Sequence, residues 1–327
     1  MVDIGERRPK SRPRNRATTS LLVLAATAFV VAAALRLLGV DGTRHMVAAT
    51  ALVPYFTVAG VLLGAVALLL RRWLVGAVTL VVALVLVATV APRAFPDARP
   101  AGVGQQVRVM SANLLVGKAE AEALVDAVRD HEVDVLALQE LTPAMVRDFE
   151  RAGLDEVLPH RVFLAEPGGS GSGIASRHPL TPRTLAGPST LRQAGALVDL
   201  PGEDLEVLSV HPLPPVVPDG PEHWQRDMAG LPGRDPGGPF RVLAGDFNAT
   251  LDHVGLRRLL DQGYVDAADQ VGAGLAATWP AGAVWPPPVV IDHVLVDDRC
   301  PVEAFQVVDV PGSDHRAIVT RFVVPAR

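Results

Sequence analysis

Three stretches of this chain, Thr18 to Leu35, Met46 to Leu70 and Trp73 to Ala91, contain no charged side chain. At about 1.5 Å per residue, each is long enough as a helix to cross most or all of a ~30 Å hydrocarbon layer. Charge-free runs of that length are unsuited to a water-facing surface, so residues 18–91 are expected to form three transmembrane helices. Pro54 and the glycines of the second stretch are tolerated in lipid-embedded helices. The three stretches hold the excess behind the 49% hydrophobic content of the 327-residue chain. A cleaved signal peptide is the alternative for the first stretch, but two further spans behind it argue against removal of the region.

The flanks set an orientation. Residues 1–17 include the tail "RRPKSRPRNR", and Arg71 and Arg72 separate the second and third stretches. Both are expected on the cytoplasmic side, where short loops are rich in Lys and Arg. Arg36 and Arg44 flank the opposite turn and are outnumbered by the tail. An odd number of spans then puts everything beyond about Pro92 outside the cell, making a multi-pass protein of the cell membrane with the lipid bilayer as its first partner.

Residues 92–106, "PRAFPDARPAGVGQQ", read as a linker without periodicity, and patterning resumes at Val107. The ~220 residues from there suffice for one sizeable core. From Ala101 onward 18 Lys and Arg stand against 31 Asp and Glu, a net charge of −13. That balance disfavours a tight nonspecific hold on nucleic acid, which needs clustered cations over the phosphates. Cys300 is the only cysteine, which excludes an intrachain disulfide and a cysteine metal cage.

Six short runs rich in Val, Leu and Ile read as strands buried on both faces: "VRVMSANLL", "VDVLALQEL", "LEVLSVHPL", "FRVLAGDFN", "VVIDHVLVD" and "AIVTRFVV". Between the first two, Ala121, Leu124, Val125 and Val128 recur at helical spacing. A second helix is expected at "HVGLRRLLDQG", closed by Gly263. The class is therefore α/β, two packed sheets with outer helices.

Polar residues fall at the ends of these runs. Asn113 and Glu140 end the first two, His211 the third, and Asp246 and Asn248 the fourth, where alternation puts both on one face. Asp292 interrupts "VVIDHVLV", and Asp314 and His315 precede the last run. Each alone fits a cap, an ion pair or a turn. Acid, amide and imidazole at successive strand ends are harder to assign to turns, and an acidic cluster needs a cation to offset its repulsion.

The pieces "MSANL", "LALQE", "SGIASRHPL", "SVHPLPP", "LAGDFNA", "IDHVL" and "GSDHRAI", between Val107 and Val324, resemble the endonuclease/exonuclease/phosphatase superfamily. These are DNase I-like metal-dependent phosphodiesterases. The resemblance implies a four-layered α/β/β/α sandwich over residues 107–327, with the site at one end of the sheets. It implies that Glu140 is the principal ligand of Mg²⁺ (or Mn²⁺ or Ca²⁺), with Asn113 and Asp314 beside it. Asp246 is then the residue that orients or deprotonates the attacking water, and Asn248 steadies it and the phosphate. His315, partnered by Asp292, and His211 are the phosphate donors. An oxygen-rich set without cysteine suits such hard ions better than zinc.

His293 stands where many relatives have an aromatic residue, and the chain between His211 and Asp246 is short and rich in Pro and Gly. His178 reads as a surface loop residue, and Trp279 and Trp285 as loop packing, with a substrate platform as the alternative because they precede Asp292 closely enough to rim the pocket. The expected function is a membrane-anchored, metal-dependent hydrolase of phosphodiesters or phosphomonoesters. An extracellular nuclease acting on DNA or RNA and a non-catalytic binding protein on the same fold are the competing readings.

Overall fold

The structure, a computed structural model, describes residues 16–97 and 102–326. Residues 1–15, most of the basic tail, lie outside the described residues. Four helices come first: α1 (Arg16–Leu38), α2 (Arg44–Ala51), α3 (Val53–Leu69) and α4 (Trp73–Val90), which continues into a 3-10 turn at Ala91–Ala94. Two helices, Arg16–Leu38 and Trp73–Ala94, are long and apolar enough to cross a membrane, and α2 with α3 forms a third candidate. Phe29, Ala33, Ala83 and Leu86 pack the helices together. Gly60 permits the close approach, since a Cβ there would lie 2.3 Å from the Phe29 ring. Leu24, Leu62, Leu74 and Leu84 point outward and are exposed.

The middle stretch differs from the single straight helix expected over Met46 to Leu70. It breaks at Leu52, with a bend of 69° between α2 and α3. Pro54, in the first turn of α3, has no N–H to give the carbonyl of Thr50, so the hydrogen-bond ladder stops there. Tertiary contacts then draw α2 away from the α3 axis: Val47 is buried with Leu208, Trp224 and Leu243 of the following domain. The linker also differs from expectation where it is described. Arg93 is buried on Asp252, and Pro96 bridges to Val271.

The first half of that domain comprises β1 (Gly104–Asn113), α5 (Ala121–Asp130), β2 (Val135–Gln139), α6 (Pro143–Ala152), α7 (Leu154–Val157), β3 (His160–Leu164), β4 (Ser172–Ser176) and β5 (Leu180–Pro182). The second half comprises β6 (Gly195–Asp199), β7 (Asp204–Val210), α8 (Gly220–Ala229), β8 (Phe240–Asp246), α9 (Val254–Asp261), β9 (Tyr264–Asp266), α10 (Ala267–Gln270), β10 (Asp292–Asp297), β11 (Val302–Asp309) and β12 (Arg316–Pro325). Two six-stranded sheets result, ordered β11-β12-β1-β2-β4-β3 and β5-β6-β7-β8-β10-β9.

Alternation along each strand divides its side chains between two cores. Val107, Val109 and Ala137 of one sheet meet Val207, Val242, Ala244 and Val294 of the other, forming the layer between the sheets. Met110, Leu136 and Leu138 turn outward onto Leu124 and Val128 of α5 and Phe149 of α6. Leu243 and Leu295 turn outward onto Trp224 of α8 and Leu256 of α9. The four layers are thus α/β/β/α.

Strand direction explains why the polar ends meet. β1 and β2 are parallel, as are β7 and β8, so Asn113, Glu140, His211 and Asp246 all stand at carboxyl ends. β10 runs against β8 with Asp292 opposite Asp246, and β12 runs against β1. Asp292 and His315, which begin or precede antiparallel strands, are therefore delivered to the same edge.

Candidate active site

Asp246 is the point on which the edge converges. It is 2% exposed. Its Oδ1 accepts from the Asn248 backbone N–H at 2.8 Å, and its Oδ2 accepts from the Asn113 Nδ2 at 3.1 Å. The Nε2 atoms of His315 and His211 lie 3.7 and 3.8 Å from Oδ2. Asn248 adopts a positive φ of 49°, and its Nδ2 donates to the Pro212 carbonyl at 3.2 Å. Asx-type side chains tolerate that backbone region better than most, and the turn holds the loop against Asp246. Burial pushes the Asp246 carboxyl above the usual carboxylate range, against the pull of His315.

Glu140 follows β2 at a φ of 59°. Its Oε2 accepts from the Val116 N–H at 2.6 Å, while its Oε1 lies 3.4 Å from Asn113 Nδ2 and 3.9 Å from His211 Nε2. Asn113 thus bridges two carboxylates from different sheets. Ser313 donates to the Asn113 carbonyl at 2.8 Å, bringing the segment before β12 alongside. The next residue, Asp314, accepts from the Trp279 indole at 3.1 Å through Oδ2. Its Oδ1 is buried without a partner among the described residues. Buried oxygens are normally paired, so this orphan carboxylate oxygen suits a hard divalent ion by its chemistry, as do the Glu140 and Asp246 carboxylates joined through Asn113. Among the described residues, Asp246, Asp292 and His315 are grouped tightly enough to hold an ion by proximity alone. Their close approach is better read as an ion-paired triad, because His315 Nδ1 is already bonded to Asp292.

The two histidines of the pocket are opposites. His315 Nδ1 donates to Asp292 Oδ2 at 2.9 Å, leaving Nε2 to face the pocket. Burial lowers its affinity for a proton, but the Asp292 and Asp246 carboxylates outweigh burial and push it up to about 10. His211 is 2% exposed and neither ring nitrogen has a partner among the described residues. Burial holds it below the ordinary imidazole range in spite of Asp246. One imidazole is therefore held cationic and the other neutral within one pocket.

Sequence reasoning missed several features of this site. Trp279 is not only loop packing: it lines the pocket, holds Asp314 and tilts over the His315 ring at 6.4 Å between centroids. Its closeness to Asp292 in sequence had marked it as able to rim the pocket; its hold on Asp314 carried no signal. Trp285 differs from the expected packing altogether, being 80% exposed. Thr278, whose hydroxyl accepts from the Asp292 N–H at 3.2 Å, carried no signal. The same is true of Val47, Ala48, Ala51 and Leu52, which form one wall of the pocket from the helical region.

Two stacked sheets with outer helices and an acid, amide and imidazole pocket at one edge define a DNase I-like α/β sandwich. The chain belongs to the Endonuclease/Exonuclease/phosphatase family, whose profile matches residues 110–315. Members of this family are divalent-metal-dependent phosphoric ester hydrolases. α1 to α4 lie outside the match. No curated protein matches the sequence. Among solved structures, an endonuclease/exonuclease/phosphatase from Beutenbergia cavernae is similar at 21% identity and a TM-score of 0.52, over 68% of this chain and 72% of that one. D. rerio TDP2, complexed with a single-strand DNA product, is similar at 16% identity and a TM-score of 0.53, over 67% of this chain and 100% of that one. The 3'-5' exonuclease NExo of Neisseria meningitidis has 20% identity and a TM-score of 0.50, over 65% of this chain and 98% of that one. At these identities the likeness is one of fold.

Proposed function

We propose that this protein is a divalent-metal-dependent hydrolase of phosphoric esters, held in the cell membrane by its N-terminal helices with the sandwich on the outer side. The observation that carries the reading is the Asp246 carboxylate, buried and approached by Asn113, Asn248, His211 and His315. A purely structural acid has no need of one cationic and one free imidazole beside it.

The geometry supports the following roles. Asp246 takes the proton of the attacking water, and its raised proton affinity suits a base better than an ordinary carboxylate. The Asn248 N–H fixes its orientation. His315, locked through Nδ1 to Asp292, presents a charged Nε2–H to phosphoryl oxygen, where negative charge develops. His211 is a second, neutral donor. Glu140, Asn113 and Asp314 would hold the Mg²⁺, Mn²⁺ or Ca²⁺ ion, which when bound neutralises phosphoryl charge. The arginine-rich tail and Arg71 and Arg72 support the sidedness, because short loops rich in Lys and Arg are favoured on the cytoplasmic side. The −13 charge beyond residue 100 favours a small or lipid ester over duplex nucleic acid.

Removal of the ion tests the reading on the full chain with bis-p-nitrophenyl phosphate. EDTA is expected to abolish hydrolysis and Mg²⁺ or Mn²⁺ to restore it, while Glu140→Gln weakens metal binding measured by calorimetry. Full activity in EDTA overturns the assignment.

A further inference from the structure

The pocket above Asp246 and His315 is not walled by the sandwich alone. It is a cavity of about 420 Å³ lined by two chemically different sets of residues. One set is Glu140, His211, Asp246, Asn248 and His315. The other is Val47, Ala48, Ala51 and Leu52 of the helical region, together with Pro215, Val216, Pro287 and Ile291 of two loops. None of those eight side chains carries a charge or a hydrogen-bonding group.

The helical wall is firmly seated. Val47 is buried in the outer core of the second sheet, and its carbonyl meets His253 Nε2 at 2.9 Å. Asp41 Oδ2 accepts from the Val254 N–H at the start of α9 at 2.9 Å. Arg36 and Arg93, which bracket the helical region, both pair with buried Asp252, at 3.0 and 2.8 Å. The Tyr55 hydroxyl donates to the Pro288 carbonyl at 2.7 Å, tying α3 to the proline loop at the pocket rim. α2 is thus part of the pocket and not a passing linker. Leu52, where α2 ends, also begins α3, which carries the exposed Val58, Leu62, Val66 and Leu69 of a helix apolar enough for a bilayer. Leu52 therefore links the pocket wall directly to a helix apolar enough for a bilayer.

Resting on the hydrolase reading above, we infer that the substrate is a membrane-derived phosphoester bearing a hydrocarbon chain. The chain lies along α2, between Ala48 and Ala51 and the facing prolines, while the phosphate meets Asp246 and His315. A polar, chain-free ester leaves that apolar wall exposed to water, and a nucleic acid finds no cationic groove on it. The helices beyond the family match thereby serve selectivity as well as attachment.

A matched pair of diesters tests the inference on the full chain in detergent micelles with Mg²⁺. Methyl and dodecyl p-nitrophenyl phosphate share a leaving group and differ only in the chain. The dodecyl ester is expected to turn over with a kcat/KM at least about tenfold higher, and Ala48→Trp and Ala51→Phe should each lower that ratio about tenfold. His45→Trp, on the same helix but outside the pocket, should leave it alone. On the unmodified protein, dodecyl phosphate should inhibit methyl ester hydrolysis at a concentration about tenfold or more below that of methyl phosphate. A ratio near unity overturns the inference and leaves the hydrolase reading standing. So does a high ratio that neither α2 substitution moves, since the preference then comes from the micelle. If neither ester is hydrolysed, or Asp246→Asn hydrolyses both as fast as the parent, the hydrolase reading itself fails and takes the inference with it.

Discussion

Two histidine–carboxylate pairs lie back to back in this domain, and they are nearly alike in form. His315 meets Asp292 at 2.9 Å and His293 meets Asp266 at 2.7 Å, all four side chains being buried. In both the carboxylate overcomes burial and raises the imidazole's affinity for protons. Adjacent residues on β10 supply one member of each pair, Asp292 toward the pocket and His293 toward the opposite face. The difference lies at the far nitrogen. His293 Nε2 bonds to the Ala249 carbonyl at 2.8 Å, and its ring stands edge-on to Phe247 at 5.7 Å. His315 Nε2 faces the cavity. A buried ion pair whose every donor is used braces the loop after β8; the same pair with one free donor can act on a substrate.

The sharpest way to break this comparison is to remove the pocket groups. Asp246→Asn and His315→Gln are each expected to lower kcat by about 10³-fold or more, several kcal/mol of transition-state stabilisation. Asp246→Asn should hardly change Tm, since removing one negative charge from a crowded acidic cluster relieves repulsion, whereas His315→Gln strands the buried Asp292 carboxylate and should lower it. Turnover and Tm measured together decide the matter, and a fully active Asp246→Asn protein ends the catalytic reading of this edge.

The second pair should answer in the opposite currency. Asp266→Asn leaves His293 buried without its carboxylate and should cost about 3 kcal/mol in denaturant unfolding. Turnover per folded molecule should stay at the parent level. A large loss of turnover with unchanged stability would make His293 part of the chemistry and erase the distinction.

A smaller effect should appear in pH dependence. His315 is raised from 6.5 to about 10 in the folded state. The stability this contributes is fully present below about 6.5, the unfolded value, and is lost as pH rises through about 10. Tm should therefore fall across that window in the parent and fall less in Asp292→Asn. The alkaline limb of the rate should move to lower pH in the same variant. His211, held neutral by burial, should add no break near its ordinary value. Identical Tm slopes for parent and Asp292→Asn would mean that Asp292 does not hold the proton on His315.

Much of the sandwich domain was legible because most of its central strands are buried on both faces. Such strands read as continuous apolar runs, and the polar residue that ends each run stands out against them: Asn113 after "VRVMS", Asp246 after "VLAG". The less buried strands β3, β5 and β11 gave no comparable contrast, while β4, though buried, and α6 and α8, each as long as α5, went unread. His293 and Asp292 were adjacent letters in one run. Nothing in a one-dimensional pattern says which will face substrate, because that depends on what packs against each side of β10.

The sequence by itself determined the apolar helices, the α/β class and the residues that end the buried strands. These follow from periodicity and from the mismatch of charge with lipid or core, both local properties of the chain. Only the tertiary structure decided that Pro54 bends the middle helix, that Arg36 and Arg93 close on Asp252, and that α2 becomes a wall of the pocket. The arginine contacts join residues far apart in the chain, 216 positions for Arg36 and 159 for Arg93. Complementary shape and charge select such contacts only once both surfaces exist.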